Sequence, residues 1–266
     1  MQTHGSQSRT LRNHHAENTE LTKQKRSEFP LTPAISRSTV PLVAIATIKM
    51  EKSMLVTQRQ LHMTGSTSAN IALAVEASAL FQEITGASLS AWIATAGVAP
   101  GTFGFTTWAA DFETISARNG QMMASSKWAD LEIKASKLIT AWGDDQILQA
   151  IVLPPVRGAD AQPGAVMTQT IIRGRQDSNP MEMLEWAMRM SEVAGRVTGL
   201  SSGLLQFGYG TDWGSYGFTS LGENAAAVDA GTAKSAASEE YMSTFMEGSK
   251  YVDRSSSRRL LLTKLA

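Results

Sequence analysis

The chain carries one run of secondary-structure elements twice, and this duplication constrains its fold more than any single motif. Leu55-Val-Thr-Gln-Arg-Gln-Leu-His62 aligns with Val166-Met-Thr-Gln-Thr-Ile-Ile-Arg173 at a spacing of 111 residues. After a two-residue gap the spacing becomes 113 and holds. Thr85-Gly86 then falls on Thr198-Gly199, Gly104-Phe105-Thr106 on Gly217-Phe218-Thr219, Lys127-Trp128 on Glu240-Tyr241, and Ser136-Lys137 on Ser249-Lys250. A constant spacing held over more than fifty residues marks a repeated structural unit. The expected copies span residues 50–155 and 156–266, with Pro154-Pro155-Val-Arg-Gly-Ala-Asp-Ala-Gln-Pro163-Gly164 as the linker between them.

Each copy reads strand, helix, strand, strand, helical region, strand. Met54–Met63 alternates apolar and polar residues and ends at Thr64-Gly65-Ser66, the signature of a half-buried strand. Over Ser68–Ile84, Leu73, Ala77, Leu80, Phe81 and Ile84 recur on one helical stripe. In the second copy, Asn179 can cap, Pro180 takes the first helical position and Glu182 can close a capping box; Met183, Ala187, Met190, Ala194 and Val197 form the stripe. Two hairpins follow, Leu89–Thr95 with Phe103–Trp108 and Leu204–Tyr209 with Tyr216–Leu221. The second helical regions, Asp111–Ile139 and Glu223–Val252, are interrupted near Asn119-Gly120 and Gly231, which predicts two consecutive helices in each. The last strands are expected at Gln146–Leu153 and Arg258–Leu265. This βαββαβ order is the ferredoxin-like arrangement, so the fold class is α+β, with each antiparallel sheet carrying its helices on one face. The uncovered sheet faces are most economically buried against each other.

In its element order, its Gly-Phe-Thr strand (Gly104–Thr106, Gly217–Thr219) and the aromatic in its late helix (Trp128, Tyr241), the chain resembles the dimeric α+β barrel superfamily. That superfamily includes antibiotic-synthesis monooxygenases, NIPSNAP-like proteins, haem-degrading monooxygenases and chlorite dismutases. The resemblance covers Met54–Leu265 and is architectural, without a catalytic signature. It implies a tandem duplication in which two ferredoxin-like sheets form a pseudo-dimeric α+β barrel, whose lumen often binds a small, mostly apolar ligand. Haem-binding members take their axial histidine from a helix. Neither second helical region here contains one and His62 is on a strand, so haem is not expected unless Tyr241 or Tyr251 ligates. Cofactor-free monooxygenation, which relatives carry out with Asn, Trp and Tyr around an activated substrate, stays open. The chain offers Trp92, Trp108, Tyr209 and Tyr216 on strands, although no family motif maps onto them and strand aromatics commonly serve the core.

Composition removes other chemistries. Lys+Arg and Asp+Glu both number 24, so no basic field favours nucleic acid or an anionic membrane. No stretch reaches the roughly 18 apolar residues of a membrane-crossing helix. With no Cys there are no disulfides, thiol nucleophiles or Cys-based metal sites, and a cytoplasmic setting fits. Of the 4 His, His4, His14 and His15 lie near the start and only His62 lies within the repeats, so a two-His metal site or His relay cannot be built there. No cofactor is expected. Residues 1–49 are polar up to Val40 and are expected to be a disordered tail or a non-native upstream segment, with Met50 or Met54 as alternative starts; Val40–Ile48 also permits a signal-peptide reading.

The strand alternation nominates a site. Leu55, Thr57, Leu61 and Met63, with Val166, Thr168, Ile172 and Gly174, form the face expected to meet the helices. The opposite face carries Val56, Gln58, Gln60 and His62 with Met167, Gln169, Ile171 and Arg173. Gln58, His62, Gln169 and Arg173 are therefore the expected polar wall of a ligand pocket between the sheets, together with Trp92 and Tyr209. The competing reading is that this face is partly solvated, or that the glutamines pair with each other. Gly208-Tyr-Gly-Thr-Asp-Trp-Gly214 joins two strands and reads as a hairpin turn, with Tyr209, Asp212 and Trp213 near a barrel mouth. Met181, Met183, Met188 and Met190 read as core, and Arg254-Ser-Ser-Ser-Arg258-Arg259 as a solvated edge. The expected function is binding of a small, partly apolar molecule between the sheets, with a cofactor-independent monooxygenase-like activity. Alternatives are a non-catalytic structural or oligomerising barrel and a detoxification enzyme. A lumen cavity of roughly 300 Å3 or more separates ligand binding from a filled barrel.

Overall fold

A computed structural model describes residues 54–266 apart from Trp213, so the expectations for residues 1–49 lie outside the described residues. The first half contains β1 (Leu55–Met63), α1 (Thr67–Thr85), β2 (Ser90–Ala96), β3 (Thr102–Ala109), α2 (Phe112–Met123), α3 (Ser126–Ala135) and β4 (Ile139–Val152). The second repeats that order as β5 (Val166–Gly174), α4 (Pro180–Thr198), β6 (Ser201–Tyr209), β7 (Tyr216–Gly222), α5 (Ala225–Ala237), α6 (Glu239–Glu247) and β8 (Val252–Lys264). α1 and α4 are displaced by 113 residues at both ends, matching the sequence spacing.

The strands close into a barrel in the order β1-β3-β2-β8-β5-β7-β6-β4, antiparallel throughout. Each half contributes the ferredoxin-like order, β4-β1-β3-β2 and β8-β5-β7-β6. The halves meet along β2–β8, where Trp92 lies opposite Lys264, and along β4–β6, where Leu148 lies opposite Phe207. Closure leaves no unpaired sheet edge. The fold is thus the α+β pseudo-dimeric barrel that the repeat implies.

Local chemistry explains the helix limits. α1 and α4 both stop at a glycine in the left-handed region, Gly86 at φ 69° and Gly199 at φ 75°. Asp111 and Asn224 cap α2 and α5 through Thr114 N–H and Ala227 N–H; Ser125 and Ser238 cap α3 and α6 through Trp128 N–H and Tyr241 N–H. The breaks in the second helical regions therefore fall at Ala124-Ser125 and Ser238, not at Asn119-Gly120 and Gly231. Gly231 stays inside α5 because Leu200 lies against it: a Cβ there would sit 2.9 Å from Leu200 Cδ1. The last strands also begin earlier than expected, at Ile139 and Val252.

Three apolar layers result. Val56, Trp92, Leu148, Ile171, Leu205, Phe207 and Leu260 fill the barrel. Leu61, Met63, Leu73, Phe103 and Leu131 pack between the first sheet and α1–α3, and Ile172, Met183, Trp186, Met190 and Leu204 between the second sheet and its helices. Ion pairs join the helices of each layer with inverted polarity. Glu76–Lys134 and Glu83–Lys127 link α1 to α3, while Arg189–Glu247 and Arg196–Glu240 link α4 to α6 at the equivalent positions. The linker crosses one end of the barrel, where Lys264 Nζ donates to Ala161 O (2.5 Å) and Arg157 lies over the Trp108 ring.

Candidate functional site

Alternation along β1 and β5 divides the side chains as expected: Val56 and Ile171 enter the barrel core, while Leu61, Met63 and Ile172 enter the helical layers. The barrel interior, however, is packed. Its cavity measures about 40 Å3 and is bounded by Gln58, Gln169, Trp92, Thr106, Trp108, Thr219 and the linker residues Pro154, Val156 and Gly158. The expected ligand space between the sheets is corrected accordingly, because large side chains from both sheets and the linker occupy it.

The six nominated residues do not form one site. Gln58 and Gln169 are both buried, and Gln169 Nε2 donates to Gln58 Oε1 (3.3 Å), the pairing weighed as the alternative. Trp92 is buried in the barrel core and donates from Nε1 to Thr106 Oγ1 (3.1 Å). His62 is half-buried at the far end of β1, beside Gly101. Arg173 is exposed and lies opposite Asp253 in the β5–β8 ladder. Tyr209 is exposed at the seam between the halves, opposite Ile147 and edge-on to Phe112 with ring centroids 5.6 Å apart. Of the remaining residues noted from sequence, Met183 and Met190 are core, Met181 is exposed, and Arg258 pairs with Asp212 of the β6–β7 hairpin.

The larger cavity lies outside the barrel, between the first sheet and α1–α3, and measures about 240 Å3. The helix-facing side of β1 supplies Thr57, Arg59, Leu61 and Met63, and β3 adds Phe105 and Thr107. The stripe of α1 (Leu73, Ala74, Ala77, Phe81) forms the opposing wall, which α2 (Ile115, Arg118, Asn119, Met122) and α3 (Trp128, Leu131, Glu132, Ala135) extend. β4 completes it with Ile139, Trp142, Asp145, Gln146 and Ile147, and Gln58 reaches its edge as well. The apolar floor is buried (Leu61, Met63, Leu73, Ala74, Phe81, Phe105, Leu131), while Arg59, Asn119, Glu132, Trp142 and Asp145 at the rim are exposed.

The polar groups are mostly committed. Arg59 donates from Nε and Nη2 to the two oxygens of Asp145, each at 2.5 Å, and that bond, with the nearby charges of Asp145 and Glu132, raises the guanidinium pKa against the opposing cost of burial. Glu132 accepts from Trp128 Nε1 (3.0 Å). Gln146 donates to Asp212 Oδ2 (2.9 Å), and its buried Oε1 has no partner among the described residues. Arg118 is half-buried and spends Nη1 on the Trp108 carbonyl (2.6 Å). The arrangement offers apolar walls, two indoles, two guanidinium groups and two carboxylates. Among the described residues no cluster of three or more His, Asp or Glu is placed to hold a metal, and no helix is long and apolar enough to cross a membrane.

The sequence matches no protein-family model and no curated protein. Solved structures do match. One from Fusobacterium nucleatum subsp. nucleatum, provisionally assigned as a monooxygenase, superposes with a TM-score of 0.61 at 9% identity, covering 82% of this chain and 94% of the other. A second provisionally assigned monooxygenase, from Lactobacillus acidophilus, gives 0.58 at 14% identity over 81% and 95%. An anthrone oxidase-like protein gives 0.54 at 13% identity over 81% and 92%. The chain has the dimeric α+β barrel fold. At these identities the likeness concerns the fold alone.

In this dimeric α+β barrel the two helical layers differ in how they are filled. The α4 position equivalent to Leu73 is Trp186, which is buried, donates from Nε1 to Thr244 O (2.8 Å) and lies against Gly248. Ala77 is matched by Met190 and Ala135 by Gly248. Burial there also pushes up the Tyr216 and Tyr241 phenols, in part offset for Tyr241 by Arg259. Sequence reasoning passed over Arg59, Arg118 and the cavity they border. The readable signal was the repeat itself: with the copies in register, Leu73 and Ala77 stand where the second copy has Trp and Met.

Proposed function

We propose that this dimeric α+β barrel binds a small, mostly apolar molecule in the cavity between its first sheet and α1–α3, and turns it over as a cofactor-independent monooxygenase-like enzyme. The observation that carries the reading is the 240 Å3 apolar cavity at the position that Trp186 and Met190 fill in the other half. An apolar cavity of about 150 Å3 accommodates benzene, so this one accommodates roughly ten non-hydrogen atoms, with space at its mouth for a polar group.

The catalytic part rests on the fold's likeness to proteins provisionally assigned as monooxygenases and to an anthrone oxidase-like protein, which is analogy. It is also consistent with the rim chemistry. A substrate that reacts with O2 without a cofactor must donate the electrons itself, as an enolate or phenolate. The Arg118 guanidinium, which has no carboxylate partner among the described residues, suits such an anion, and the Glu132 carboxylate can accept its proton, whereas Arg59 and Asp145 occupy each other. One ring methylene and one O2 would then become a ring carbonyl and water.

Titration with 2-naphthol, followed by its fluorescence, tests binding, and an oxygen electrode with 2-tetralone, a two-ring ketone whose enolisable ring methylene the step requires, tests turnover. Saturable binding that Leu73→Trp abolishes is the expected result. Binding that survives Leu73→Trp would remove this cavity from the function. The packed barrel interior favours a second reading, a non-catalytic structural barrel, which predicts neither binding nor oxygen uptake.

A further inference from the structure

Resting on that reading, we infer that the ligand of the α1–α3 cavity carries an anionic group at one end, and that Arg118 on α2 is the residue that selects it. Cavity walls of Leu61, Leu73, Phe81 and Phe105 recognise only an apolar body, so specificity falls to the charged groups at the mouth. Three of these already have partners. Arg59 is held in a two-point bond by Asp145, and Glu132 accepts from the Trp128 indole while lying in the field of Arg59.

Arg118 stands apart from that cluster. Among the described residues no carboxylate lies within ion-pair distance of it, and the one partner its guanidinium has is the neutral Trp108 carbonyl. That bond holds the guanidinium of a residue that lines the cavity and leaves its other N–H donors unused among the described residues. A planar fork of donors with no counter-charge matches a carboxylate or an enolate oxygen pair. Position 231, the equivalent of Arg118 in α5, is a glycine covered by Leu200, so the charge belongs to the half with the cavity. The ligand class is therefore a one- or two-ring carboxylate or enolate, with the ring in the cavity and the anion at the α2 side of the mouth.

Two probes of equal size isolate the charge: 2-naphthoate and 2-naphthamide, titrated calorimetrically against the full chain. Naphthoate is expected to bind about tenfold or more tightly, as charge-assisted hydrogen bonds warrant. Arg118→Gln should erase that preference and leave naphthamide binding in place, while Arg118→Lys, which keeps the charge but not the planar fork, should keep only part of it; thermal melts of both variants confirm folding. Equal affinities in the unmodified protein, or a preference untouched by Arg118→Gln, would overturn the anionic assignment and leave the cavity's binding role intact. Binding of neither probe would overturn the binding role itself, and with it this inference.

Discussion

The two helical layers of this barrel share one backbone plan and reach opposite ends with it. Around α4 the space over the sheet is occupied by Trp186, Met190, Tyr216 and Tyr251. Around α1 the equivalent helix presents Leu73 and Ala77, and a cavity of about 240 Å3 remains. Duplication thus separates two tasks that conflict within one unit. One copy can pack for stability while the other keeps an unfilled space, which forgoes the contacts that its lining would otherwise make.

Substitutions can break that contrast to different extents. Trp186→Ala should cost about 3–5 kcal/mol in denaturant unfolding, as expected for a fully buried indole that also loses its bond to Thr244 O. Leu73→Ala should cost about 2 kcal/mol, the low end for a leucine, because one side of Leu73 already faces the cavity. Equal losses would mean that both layers are packed alike. Gly248→Ala should destabilise by roughly 1–3 kcal/mol through overpacking, since a methyl group there runs into Trp186 Cζ2. The same assay on the double variant Trp186→Leu/Gly248→Ala should recover part of the glycine penalty, and an additive loss would rule out the steric cause.

The ion pairs should register least. Glu83→Lys is expected to cost about 0.5 kcal/mol, and adding Lys127→Glu should restore stability, because the pair is exposed and only its sign changes. A much larger loss in Tm for Glu83→Lys would show that the charges do more than decorate the surface.

How much of this could be read from sequence follows from which interactions are local. The duplication, the strand alternation that divides Val56 and Ile171 from Leu61 and Ile172, and the Asn179-Pro180 helix start are local patterns, and the structure follows them. Gly231 was misleading because a glycine can break a helix or admit a neighbour, and only the approach of Leu200 shows which applies. The barrel lumen was misread for a related reason. Gln58 and Gln169 look like a polar pocket wall until Trp92, Leu148, Phe207 and Leu260, from four other strands, fill the volume around them. The cavity itself is a deficit of volume, visible in the sequence only when Leu73 is set beside Trp186.

The inverted ion pairs bear on how a duplicated chain sorts itself. α1 presents two acids, Glu76 and Glu83, to the lysines of α3, whereas α4 presents Arg189 and Arg196 to the acids of α6. Two halves with interchangeable backbones could in principle trade helices during folding, or between neighbouring molecules. Such an exchange would set the acids of α1 against Glu240 and Glu247, and the arginines of α4 against Lys127 and Lys134, two like-charge pairs in each case. The polarity inversion thus adds a charge penalty to any exchange of helices, on top of the different packing of the two layers.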